Sequence, residues 1–109
     1  MNFLENKMKA LKMALEFILL NITSKNSLRQ GYGLSFDTLS RIENSEPIRS
    51  ATAEKYMSIF VEIIYDYRSR YREDSPRRKS ATDFMMDLLL VCSSGKSEKE
   101  RVKREVKIL

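Results

Sequence analysis

The chain has 109 residues, 42% hydrophobic and 32% charged, enough apolar material for one packed core beneath a well-solvated surface. With three glycines and two prolines it lacks the turn formers of a β sandwich, and helices are expected throughout. One cysteine and no histidine exclude a disulfide framework and the ordinary zinc sites.

No apolar run approaches the roughly 18 residues of a membrane span. Met1 to Lys12 is interleaved with charge and lacks the apolar stretch of a signal peptide. A reduced, cytoplasmic protein without metal or other cofactor is expected, with no membrane partner and no evident small-molecule ligand. The net charge of +5 is uneven. Residues 1–75 carry 11 basic and 10 acidic side chains, against 9 and 5 in residues 76–109. The excess therefore lies in the last third, and by itself says little about nucleic acid.

Asn2 to Ile22 reads as a first helix, with Leu4, Met8, Leu11, Leu15, Ile18 and Leu19 at three- and four-residue steps. Phe17 to Leu20 and Ile22 make its end apolar nearly all round, which predicts deep burial there. Thr23 to Ser27 is a polar break rich in N-cap residues. A short helix follows, Lys25 to Tyr32, closed by Gly33, which suits a left-handed turn. Ser35 caps another, Phe36 to Glu43, with Leu39 and Ile42 inward. Asn44 to Arg49 is a loop containing Pro47. Ser50 or Thr52 opens the longest helix, to about Arg72, whose stripe of Tyr56, Ile59, Phe60, Ile63, Ile64 and Tyr67 faces the core. Tyr65, Tyr67 and Tyr71 alternate with Arg68, Arg70 and Arg72, a pattern that fits the end of an amphipathic helix better than a stacking platform for single strands.

Glu73 to Lys79 reads as a linker, since Pro76 stops a helix. Ser80 caps a helix through about Cys92, with Phe84, Met85, Leu88, Leu89 and Val91 at its centre, and Ser93 to Lys96 breaks it. Ser97 with Glu100 forms a capping box for a charged terminal helix ending in Val106, Ile108 and Leu109. The expectation is an all-α bundle of five to seven helices. It divides into a helical body, residues 1–74, and a linker with C-terminal helices, residues 75–109, that offers a dimerisation arm. Cys92 has no catalytic partner and reads as a structural thiol. No nucleophile–base pair, carboxylate pair or phosphate-binding glycine loop is present, so no enzymatic activity is expected.

Ser24 to Asn44, SKNSLRQGYGLSFDTLSRIEN, resembles the helix-turn-helix of the phage repressor/Cro (XRE) family without a gap. Its closest stretch is Thr38 to Asn44, and Ser50 to Tyr56 resembles the family's next helix. The resemblance implies that Leu28, Leu34, Leu39 and Ile42 lock the two short helices together and that Gly33 supplies the tight turn. It also implies that Glu43 pairs with a nearby basic group. Four positions depart from the family pattern. Arg29 stands where a small residue is usual, Gly31 and Tyr32 weaken the first helix, and Ser45 replaces a frequent glycine.

By the same resemblance, Ser35, Phe36, Asp37, Ser40 and Arg41 would face the major groove. Ser35 would meet a phosphate, Arg41 guanine or phosphate, Phe36 a thymine methyl and Asp37 the amine of cytosine. Lys25, Arg29, Arg49 and Lys55 would contact phosphates. The function implied is a sequence-specific regulator of transcription, a repressor of phage or mobile-element type, acting on double-stranded DNA as a homodimer. The alternative is a helical protein–protein adaptor that keeps the fold without DNA readout. Asp37, Arg29 and the near balance of five basic and four acidic side chains over Ser24 to Lys55 favour that alternative.

Overall fold

The computed structural model describes residues 3–94, which form five helices: α1 (Phe3–Asn21), α2 (Lys25–Tyr32), α3 (Phe36–Glu43), α4 (Ser50–Ser69) and α5 (Pro76–Ser94). No strand occurs among the described residues. The three long helices pack on one another, α3 lies against α1, and α2 against α3. Two contacts fix the direction of α1 relative to α4. Lys7 meets Glu54 at 3.1 Å near the start of both helices, and Phe17 meets Tyr67 edge-on at 6.2 Å near their ends, so the helices run parallel. The helix α5 returns antiparallel, with Arg68 donating to the Thr82 hydroxyl at 2.6 Å and Phe84 stacked on Phe17 at 4.3 Å.

The stripe predicted for α1 packs as expected: Leu11, Leu15 and Ile18 are fully buried, and Ala10 and Ala14 beside them allow close approach. From α4 come Ala53, Tyr56, Phe60, Ile63, Ile64 and Tyr67, with Ile59 half-buried, and from α5 come Ala81, Leu88 and Val91. Phe60 is the largest fully buried side chain. No charged residue is buried among the described residues.

Several expectations are corrected. The end of α1 is not deep in the core, because Leu20 is 83% exposed. It follows Ile18 by two residues, about 200° of helical rotation, and so points away from the other helices. The helix α4 stops at Ser69 instead of near Arg72. The linker is shorter than Glu73 to Lys79, because α5 begins at Pro76 instead of after Ser80. The Ser75 carbonyl accepts from the Lys79 N–H at 3.1 Å and its hydroxyl from the Arg77 N–H at 3.3 Å. A proline at the first helical position gives up an N–H that would have no helical acceptor anyway. Ser93 continues α5 instead of breaking it. Leu89, expected at the apolar centre of this helix, is 70% exposed. The Ser97–Glu100 capping box and the terminal helix through Val106, Ile108 and Leu109 lie outside the described residues.

The α4–α5 turn is tied by arginines: Arg78 donates to the Tyr71 carbonyl at 3.0 Å and Arg77 to the Tyr71 hydroxyl at 3.1 Å. The hydrogen bond from Arg77 holds the Tyr71 pKa below its ordinary value, while burial raises that of Tyr67.

Two backbone positions leave room for improvement. A Cβ at Gly31 would meet nothing within 4 Å, and Ser45 is held in the left-handed region at φ 57°. Gly31→Ala and Ser45→Gly are each expected to stabilise the fold by about 1 kcal/mol. Phe60→Ala is expected to cost about 3–5 kcal/mol. Urea denaturation followed by circular dichroism checks all three, with midpoints moving up, up and down.

Candidate nucleic-acid interface

Both short helices are bounded by local chemistry that their sequence dictates. Ser24 caps α2 by accepting from the Ser27 N–H at 3.2 Å. Gly33 closes it at φ 68°, its N–H donating to the Arg29 carbonyl at 3.0 Å. Only Leu34 and Ser35 then separate Gly33 from α3. Ser35 is the α3 N-cap, its hydroxyl accepting from the Thr38 N–H at 3.4 Å. Leu28, Leu34, Leu39 and Ile42 are all buried and bind this pair of helices to the core.

A further hydrogen bond fixes the turn. The Ser35 N–H donates to the Tyr56 hydroxyl at 2.9 Å, and the Tyr56 ring lies buried and edge-on to Phe60 at 6.1 Å. The sequence places the Tyr56 ring inward but leaves the role of its hydroxyl unassigned. The available signal is a tyrosine on a core-facing stripe, since a buried hydroxyl needs a partner.

With Leu39 and Ile42 inward, α3 turns Phe36, Asp37 and Arg41 outward, while Ser40 is half-buried. Arg41 is engaged locally, its Nε 3.1 Å from the Asp37 carboxylate one helical turn earlier, both side chains being at least half exposed. Phe36 is 40% exposed, and the Arg29 guanidinium lies 4.8 Å from its ring centroid. This contact holds the Arg29 side chain outside the core. The side chain lies outward over Phe36 and also donates to Asn26 at 3.3 Å. The Lys25 ammonium sits 2.7 Å from Glu43 Oε1, joining the start of α2 to the end of α3. That oxygen is buried and receives no aligned hydrogen bond, so the charge of Lys25 compensates it.

Apart from Arg29, which lies over Phe36, the residues expected to meet DNA fall into three groups. Ser35, Phe36, Asp37, Ser40 and Arg41 share α3 and its cap, exposed except for Ser40. Lys25 is committed to Glu43. Arg49, the N-cap residue of α4, and Lys55 in its second turn are exposed and without a side-chain partner among the described residues. An exposed i, i+4 pair such as Asp37–Arg41 is worth only about 0.3–0.5 kcal/mol, so a phosphate or a base edge can displace it at small cost.

No protein-family model, curated protein or solved structure matches the chain, and the function of this face has to be read from its own side chains.

Tyr56→Phe keeps the ring and deletes the acceptor of the Ser35 N–H. It is expected to lower stability by about 1–2 kcal/mol, the penalty of an amide stranded in a part-buried site. Urea denaturation beside a control substitution, Tyr65→Phe on the exposed side of α4, isolates that effect.

Proposed function

We propose that the protein is a sequence-specific regulator of transcription, of repressor type, that lays α3 in the major groove of double-stranded DNA as a homodimer. The observation that carries this reading is the anchoring of α3. Leu39 and Ile42 are buried on one side, and the opposite side presents Phe36, Asp37 and Arg41 to solvent. An α-helix with its side chains is about 10–12 Å across, which the roughly 12 Å wide major groove admits. Its first turn offers backbone N–H groups and a positive dipole end to a phosphate. The likeness of Ser24 to Asn44 to the phage repressor/Cro motif supports the same use.

In this reading Arg41 exchanges Asp37 for guanine or a phosphate, and Asp37 is released to accept from a cytosine amine. Phe36, backed by Arg29, meets a thymine methyl. Arg49 and Lys55, which break no ion pair on binding, contact the backbone and position the protein without reading sequence. One reading protein face covers only a half-site, hence the two-fold assembly.

A second reading, a protein–protein adaptor, is favoured by the pairing of Arg41 and Lys25 with carboxylates and by the exposed rings of Tyr32 and Phe36.

Salt separates the two. Fluorescence anisotropy on random duplex DNA, from about 50 to 200 mM salt, is expected to show binding that weakens steeply and linearly in logarithmic coordinates. Arg49→Gln and Lys55→Gln are each expected to reduce the slope by about 0.9. On a duplex selected from a random library, Arg41→Ala is expected to lose about 1–3 kcal/mol of discrimination. Absence of salt-dependent binding at low ionic strength overturns the regulator and leaves the adaptor.

A further inference from the structure

The outward face of α3 carries the Asp37 carboxylate beside the Arg41 guanidinium. The Asp37 side chain is 77% exposed and that of Arg41 50%, so both can reach a ligand lying on this face. The Arg41 Nε–H donates to Asp37 Oδ2 at 3.1 Å. The Nη donors of Arg41 and the second carboxylate oxygen have no partner among the described residues. Read across the pair, the helix offers two donors and then an acceptor.

An unaccompanied carboxylate is out of place in a DNA groove, where the phosphates on both sides repel it. Asp37 is tolerated there only while a cation stays beside it. Lys25 is held by Glu43 at 2.7 Å and Arg29 lies over Phe36, so Arg41 is the cation that serves. Whatever Arg41 contacts, Asp37 must contact close by.

A single base pair meets that condition. In the major groove a guanine–cytosine pair presents guanine N7 and O6 as acceptors and then cytosine N4 as a donor. The O6 and N4 atoms are hydrogen-bonded to each other and so lie about 2.9 Å apart. That separation is close to the 3.1 Å between Arg41 and Asp37. We infer that Asp37 and Arg41 act as a unit that reads one guanine–cytosine base pair in one orientation. Arg41 donates to guanine N7 and O6, and Asp37 accepts from the cytosine amine. The inference rests on the DNA-binding reading and deepens it, since the exchange of partners then takes place on one base pair. Every other pairing opposes like to like at two of these three points. With the strands swapped, the cytosine amine meets Arg41 and guanine N7 meets the carboxylate. An adenine–thymine pair in either orientation sets its amine against Arg41 and an acceptor against Asp37. The carboxylate thus rejects as well as selects, and specificity built on repulsion is lost when the repelling group is removed.

Selection from a random duplex library, run in parallel with the full chain, Asp37→Asn and Arg41→Ala, tests this. The unaltered chain is expected to select a guanine–cytosine pair of fixed orientation. Inverting that pair in the selected duplex is expected to weaken its binding at least about fivefold. Both variants are expected to lose the preference at this same pair and to keep those at other positions. Asp37→Asn is also expected to bind random duplex more tightly than the unaltered chain, because it removes a repulsion toward phosphate. A carboxylate serving only the helix dipole would move the urea midpoint and leave the preference at this pair unchanged. Preferences lost at two different pairs, a preference that survives Asp37→Asn, or salt-dependent binding without a guanine–cytosine preference overturns the inference and leaves the regulator standing. Absence of salt-dependent binding overturns both.

Discussion

An eight-residue helix is unstable in water by itself, since isolated helices below about 12–15 residues are marginal even in favourable sequences. Both α2 and α3 are this short, and neither can hold the other in place unaided. Their existence and their mutual orientation depend on inserting Leu28, Leu34, Leu39 and Ile42 into the core built by the long helices. Each such burial is worth about 1.5–3 kcal/mol, against a few tenths for an exposed ion pair. Packing therefore decides where α3 points, and the Ser35–Tyr56 hydrogen bond fixes the height of the turn on α4.

The polar contacts around α3 act on a different scale. Asp37–Arg41 and Arg29 over Phe36 hold outward-facing side chains in defined positions without anchoring the backbone. Lys25–Glu43 is the exception, since a buried carboxylate oxygen depends on it. The two outer contacts can be exchanged for contacts with a partner while the helix beneath them stays where the apolar residues put it. Anchoring and recognition are thus carried by different residues of the same eight-residue helix.

The bounds of α2 and α3 were readable because capping is local: Ser24, Gly33 and Ser35 each act on a backbone group within four residues. The buried stripe of α4 was equally plain from its three- and four-residue spacing. Pro76 bounds no preceding helix, since α4 ends at Ser69, and instead opens α5. A proline that stops a helix interior also fits the first helical position, and only the Ser75 cap tells the two apart. Leu20 and Leu89 were misplaced because an apolar run at a helix end or centre does not reveal which side its neighbours cover. At the site, the Asp37–Arg41 spacing was visible in the sequence. The stack of Arg29 on Phe36 and the Ser35–Tyr56 bond were not, because they join segments whose approach only the packed core defines.

The stacking of Phe17 on Phe84 joins the first helix to the last one described, with every other helix lying between them in the chain. During synthesis, the apolar face of α1 emerges long before the helix that covers it. Until α5 has formed, Phe17 lacks its stacking partner and the site of α2 and α3 rests on a half-built support. Closing a span of that length is the slow step expected for contacts distant in sequence. The protein should therefore acquire its surface late and all at once, with the outward face of α3 in place only after most of the chain has been made.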